Sequence, residues 1–193
     1  MGFEPTPLWP AHVVVASPQE DSRGVFMRLH CETDFRAQGV LQRMVQTNLS
    51  RTRRRGTLRG LHFQIAPSHE GKLVRCLGGC IYDVFVNLRP ESSCFFQHFA
   101  IGLDEGGLKA LYVPPGFAHG FQALTKEETV LYQMTDYYAA ELSRGVRWND
   151  TAFGVAWPIA DPYLSERDAG DPDFDARMVA GFVECWSMEA NQV

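Results

Sequence analysis

The chain has 193 residues, 45% of them hydrophobic, enough to bury a sizeable core within one domain. Its net charge of −5 excludes a general attraction to nucleic acid, so any anion it binds must be held locally. No run of about 18 or more uncharged apolar residues occurs, which excludes a membrane-spanning helix.

The opening stretch, MGFEPTPLWP, carries a Glu and three prolines where a secretory signal would need a basic end and an apolar run. The expected location is therefore the cytoplasm. Short apolar or alternating runs then recur between turn signals: HVVVA (12–16), GVFMRLH (24–30), MVQTNLS (44–50), TLRGLHFQI (57–65), KLVRCL (72–77), CIYDVFVNLR (80–89), FFQHFAIGL (95–103), KALYVP (109–114), HGFQAL (119–124) and TVLYQMTDYY (129–138). Many short strands at this spacing predict an all-β sandwich or barrel. Only DFRAQG (34–39) and the SERDAG region (165–170) read as helical.

In CIYDVFVNLR the period of two puts Tyr82, Val84, Val86 and Leu88 on one face, the core side, and Asp83, Phe85, Asn87 and Arg89 on the other, with selected polar groups. The same period gathers Val130, Tyr132, Met134, Asp136 and Tyr138 on one face of TVLYQMTDYY. Glycines 78–79 and the EGG at 105–107 read as hairpin turns. From about residue 150 the chain becomes proline- and aspartate-rich, as in a segment that wraps a barrel within a single domain spanning residues 1–193.

Five cysteines (Cys31, Cys76, Cys80, Cys94 and Cys185), odd in number and without a CxxC pair, argue against a disulfide framework and a zinc cluster. Two strand histidines stand out, His62 in GLHFQ and His119 in PPGFAHGF. A metal site on such strands would need a second ligand close to the first, commonly His-x-His. Position 64 is Gln64 and the next carboxylate, Glu70, falls on a loop, so no metal is expected; packing within the core is the plain alternative for both histidines. Five arginines between positions 51 and 59 suggest either a nucleic-acid patch or one wall of a phosphate-binding site.

The runs DSRGVF (21–26), VQTNLS (45–50), GTLRGLHFQ (56–64), KLVRC (72–76), YDVFVNLR (82–89), VPPGFAHGF (113–121), LYQMTDYY (131–138), GVRWND (145–150) and LSERD (164–168) occur in an order that resembles the dTDP-4-dehydrorhamnose 3,5-epimerase family. The resemblance implies a cupin-type jelly roll with short peripheral helices, a homodimer, and proton exchange at carbons beside the C4 ketone of a nucleotide-linked 4-keto-6-deoxyhexose. It also implies that neither a metal nor a redox cofactor takes part, and that the partner is a nucleotide-diphosphate sugar, with no nucleic acid and no membrane.

By motif position, His62 resembles the general base, Asp168 the carboxylate that orients it, Tyr132 the acid on the opposite face of the sugar, and Lys72 the cation at the ketone oxygen. Arg23, Phe26, Gln46, Asn48, Arg59 and Arg167 fall where the family contacts the nucleotide and its diphosphate, and His119 and Tyr138 where it lines the sugar pocket. Arg28, Asn87 and the run SSCFFQHF (92–99) depart from the family pattern, leaving the nucleotide open, as is inversion at C3, C5 or both. Arg59 and His62 have opposite parity in a regular strand, so a bulge or bend at Gly60 is expected to turn both inward.

Overall fold

The computed structural model describes residues 1–179. Strand-forming runs become β1 (Gly2–Pro5), β2 (His12–Val15), β3 (Gln19–Asp21), β4 (Gly24–Phe26), β5 (Gln46–Thr52), β6 (Leu58–Gln64), β7 (Lys72–Gly78), β8 (Cys80–Asn87), β9 (His98–Asp104), β10 (Lys109–Val113), β11 (Phe117–Ala123), β12 (Glu128–Met134) and β13 (Ser143–Gly145). Two five-residue helices, α1 (Glu32–Arg36) and α2 (Glu166–Gly170), lie outside them. The strands form a six-stranded sheet in the order β1-β2-β10-β7-β12-β5 and a five-stranded sheet in the order β13-β6-β11-β8-β9, with β3 and β4 pairing as a separate hairpin. Every strand pairing within these sheets is antiparallel. This is the expected cupin-type jelly roll.

Glycines 78–79 and the EGG at 105–107 are not hairpin turns. The first joins β7 to β8 and the second β9 to β10, and in each case the two strands belong to different sheets, so both glycine spots are corners where the chain changes layer. Gly79, at φ +75, lies so close to Thr125 and Glu128 that a Cβ there would collide with them.

The core between the sheets is built from inward positions such as Val74, Phe85, Leu111, Phe117 and Val130. Phe85 is fully buried, with Phe117 edge-on at 5.2 Å and Phe99 at 5.6 Å; truncating such a side chain costs about 3–5 kcal/mol. The expected division of β8 into an apolar and a polar face is corrected, because both faces are covered. Ile81 and Phe85 enter the inter-sheet core, whereas Val86 and Leu88 meet a second cluster with Val146, Phe153, Trp157, Phe174 and Val179 from the C-terminal stretch. The rest of the expected wrapping segment, residues 180–193 with Cys185, lies outside the described residues. Cys31, Cys76, Cys80 and Cys94 are free thiols.

Some runs are shorter than their sequence suggests. GVFMRLH is strand only over Gly24–Phe26, and FFQHFAIGL becomes strand at His98. β12 ends at Met134, so Asp136 leaves the Tyr132 face and accepts hydrogen bonds from Ser68 Oγ at 2.9 Å and the His69 amide at 3.1 Å. The departures at Asn87 and in SSCFFQHF form one unit: the Asn87 amide donates to Ser92 Oγ at 2.8 Å, and its carbonyl accepts from the backbone and side chain of Arg89.

Candidate active site

The two sheets enclose a cavity of about 310 Å³. From the five-stranded sheet β6 supplies Arg59, His62 and Gln64 and β11 supplies His119; from the facing sheet β7 supplies Lys72 and β12 supplies Tyr132 and Met134. Ser165, Arg167 and Asp168 of the α2 region also line it, as do Tyr138, Glu70, Ser50 and Ser143.

The parity conflict on β6 is resolved by a bulge. His62 pairs with His119 and Arg59 with Phe121, so two residues of β6, Gly60 and Leu61, oppose the single Gly120 of β11. Gly60 sits at φ +128, and a Cβ there would lie 2.6 Å from the Gly120 Cα. Two facing glycines thus allow the close approach that brings Arg59 and His62 to the same cavity.

His62 Nε2 lies 2.6 Å from Asp168 Oδ1, a contact across 106 positions of sequence. Ser165 caps α2 by accepting from the Asp168 amide at 3.1 Å, and its hydroxyl donates to Asp168 Oδ2 at 2.9 Å. The carboxylate is therefore fixed on both oxygens before any ligand binds. Burial pushes Asp168 upward, but the hydrogen bond and charge of His62, the Ser165 hydroxyl and Arg167 outweigh it and hold the carboxyl below its ordinary value. An ionised Asp168 accepts the Nε2 proton, which leaves His62 Nδ1 with the lone pair.

Lys72 is buried and donates to Glu70 at 2.9 Å and to the His62 carbonyl at 3.1 Å. Tyr132 stands on the opposite sheet from His62. Burial, joined by the Glu70 charge and opposed by Arg59, raises its phenol, which stays protonated at neutral pH. His119 Nε2 meets Asp83 Oδ1 at 2.9 Å.

At the rim, Arg59 points its guanidinium toward Thr52, with both contacts at 3.4 Å, and Arg167 donates to Ser143 Oγ at 2.9 Å. Gln46 and Asn48 share the face of β5 that carries Ser50, and the Gln46 carbonyl accepts from the Tyr138 amide at 3.1 Å. Arg23 and Phe26 are not brought to the cavity of their own chain. They sit on the β3–β4 hairpin, 88% and 73% exposed, with Arg23 paired to Asp21. In the arginine cluster, Arg55 donates to the Leu124 carbonyl and Arg54 stacks 4.5 Å over Tyr163, so two of these side chains serve the fold.

The sequence reading missed Glu70 as the partner of Lys72, Asp83 as the partner of His119, and the Ser165 cap; of these, only the S-x-x-D spacing of Ser165 and Asp168 is a recognisable local signal. It also missed Asp171, whose carboxylate stands with the His62 imidazole and the Asp168 carboxylate in a group of side-chain atoms within 4.8 Å of one another. These three could converge on a cation, but His62 and Asp168 face each other at hydrogen-bond distance, which leaves no space for an ion between them.

A histidine with an oriented carboxylate, a tyrosine on the facing sheet and a buried lysine beside them form an arrangement suited to general acid–base catalysis, the class of chemistry by which an isomerase moves protons. The sequence model of dTDP-4-dehydrorhamnose 3,5-epimerase matches residues 5–176. A dTDP-4-dehydrorhamnose 3,5-epimerase of Sinorhizobium fredii is 39% identical over 165 residues, covering 84% of this chain and 85% of the relative. Among solved structures, the Bacillus anthracis dTDP-4-dehydrorhamnose 3,5-epimerase with TDP and PPi bound superposes with a TM-score of 0.87 at 36% identity, covering 90% of this chain and 99% of that one. The Mycobacterium tuberculosis rmlC epimerase superposes over 100% of both chains with a TM-score of 0.92 at 29% identity. The chain belongs to the dTDP-4-dehydrorhamnose 3,5-epimerase family, carbohydrate epimerases of deoxysugar biosynthesis.

Proposed function

We propose that this enzyme epimerises a thymidine-diphosphate-linked 4-keto-6-deoxyhexose at the carbons flanking its ketone, C3 and C5, without a cofactor. The observation that carries the reading is His62 on one sheet, fixed by Asp168 of α2, with Tyr132 on the facing sheet. The C4 ketone acidifies the neighbouring C–H bonds. His62 Nδ1 takes a proton from one face, and the negative charge passes to the C4 oxygen as an enolate. Lys72 stabilises that oxygen, and Asp168 stabilises the imidazolium. Tyr132 then gives its phenolic proton to the other face of the same carbon, which inverts it, and both groups re-equilibrate with solvent.

Arg59 and Arg167 flank the cavity where a diphosphate would lie, their planar guanidinium groups suited to gripping phosphate oxygens in pairs. Gln46 and Asn48 extend this rim toward the nucleotide, and His119 and Tyr138 wall the sugar. Arg23 and Phe26 fit this reading only as contributions to a second copy. Their hairpin is exposed, and β5 is an edge strand of its sheet with Leu49 exposed, so a homodimer in which each hairpin reaches the other cavity accounts for both. No helix among the described residues is long and apolar enough to cross a membrane, and a nucleotide-sugar substrate supports a cytoplasmic location.

Incubation with dTDP-4-keto-6-deoxyglucose in deuterium oxide tests the reading. Two deuterons, one at C3 and one at C5, are expected in the product; a single deuteron shows a one-carbon epimerase, and none refutes the function.

A further inference from the structure

Asp171 closes α2 as its C-cap, three residues beyond Asp168, and the tie from the Arg147 amide to the Pro172 carbonyl at 2.8 Å holds this turn against the end of β13. Its carboxylate occupies the space above Gly145, where any Cβ would collide with it. Gly145 is in turn the register partner of His62, so the absence of a side chain at position 145 opens the place beside the imidazole that Asp171 fills. Asp171 Oδ2 is buried and has no hydrogen-bond partner among the described residues.

The other charged groups around His62 already have partners. Lys72 is held by Glu70, His119 by Asp83, Arg167 donates to Ser143, and Arg144 of β13 donates to the Glu141 and Ser143 carbonyls. Tyr132 and Arg59 complete the wall. Asp168 is committed to the Nε2 hydrogen bond and to Ser165. Asp171 is thus left to face the imidazolium that forms when His62 takes a proton, with Arg167 the other cation that acts on it.

We propose that Asp171 is a positioning residue for the base: a second carboxylate that acts through His62 and raises its proton affinity by facing the imidazolium together with Asp168. The proposal rests on His62 being the base of the epimerase. Burial raises Asp171, opposed first by the charge of His62 and less by that of Arg167, with the Asp168 charge adding to the rise. A carboxylate that is costly to ionise alone is stabilised in its charged form when a cation appears beside it. Two carboxylates then share the charge that the reaction creates, one through a hydrogen bond and the other through space.

The test is the pH profile of kcat/KM for deuterium exchange, whose acid limb reports protonation of the base in the free enzyme. Replacing Asp171 by Asn removes a negative charge beside the imidazolium, so His62 should lose its proton at lower pH, and the acid limb should move down by about one unit. NMR titration of the His62 ring should show the same shift without substrate. If Asp171→Asn fails to fold, Gly145→Ala pushes the carboxylate away and should produce the same downward shift. A uniform loss of rate with an unmoved limb, or an unchanged ring titration, would overturn the proposal and mark Asp171 as a structural residue. If the wild type itself exchanges no deuterium, the epimerase reading fails instead.

Discussion

Two histidine–carboxylate pairs sit side by side on neighbouring strands, and their difference separates chemistry from architecture. His62 and His119 are register partners on β6 and β11, each within hydrogen-bond reach of an aspartate, at 2.6 and 2.9 Å. The His62 side chain is 33% exposed to the cavity, and its carboxylate arrives from a distant helix with both oxygens satisfied. The His119 side chain is 10% exposed; its carboxylate comes from the adjacent strand β8, is fully buried, and leaves Oδ2 without a partner among the described residues. An open imidazole with a pre-oriented carboxylate can accept a proton from a ligand. A closed pair chiefly holds two strands and shapes one wall.

The comparison breaks most clearly by substitution. Replacing His62 by Ala should lower deuterium exchange by about 10²–10⁴-fold, the usual worth of a general base. Its thermal unfolding midpoint should fall less than that of the His119 variant, because Asp168 keeps the Ser165 hydroxyl as a partner. Replacing Tyr132 by Phe should remove inversion while leaving exchange measurable, because His62 can still take and return a proton on its own face; NMR of the recovered sugar should show deuterium with retained configuration. Replacing His119 by Ala should do the reverse of His62→Ala. Asp83 would be left buried without its partner, at a cost of about 3–5 kcal/mol read as a lower denaturation midpoint. Its exchange rate, measured while folded, should fall far less than that of His62→Ala.

A subtler contrast lies in pH. The folded-state value of Asp168 lies below its ordinary 3.8, so the stability it contributes is complete above that value and is lost as pH falls through the lower folded one. Acid unfolding of Asp168→Asn should therefore lack this component, a small change in slope below about pH 4 in denaturant titrations.

How much of this could be read beforehand depends on range. The short apolar run KLVRCL and the alternation along CIYDVFVNLR and TVLYQMTDYY located three strands because both are local properties. The conflict between Arg59 and His62 was visible as parity, and its cause, a bulge where Gly60 meets Gly120, needs only the neighbouring strand. The corners at Gly79 and Gly107 looked like hairpins because a glycine permits a sharp turn without saying whether the next strand joins the same sheet. Strands β1, β3 and β13 span only three or four residues, too short for a period to declare itself. The pairing of His62 with Asp168, like that of Lys72 with its Glu70 counter-ion inside the cavity, depends on how sheet and helix are stacked, which no local pattern encodes. Only resemblance to related sequences pointed to Asp168, and Asp171 beside it carried no signal at all.

The proposed homodimer offers a further way to sharpen the contrast between groups within one cavity and groups brought from outside it. An Arg23→Ala variant should bind substrate more weakly with its His62 intact. Mixing it with His62→Ala chains should restore activity in hybrid dimers, where one cavity regains both groups; no recovery would place Arg23 outside the site.

The most direct measurement is deuterium incorporation from solvent into dTDP-4-keto-6-deoxyglucose by wild type and by His62→Ala, side by side, with folding of the variant checked by its denaturation midpoint. Exchange beside the ketone in the wild type, and its loss in a stably folded His62→Ala, is the expected result. Exchange at an undiminished rate in that variant would contradict the assignment of the open histidine as the base.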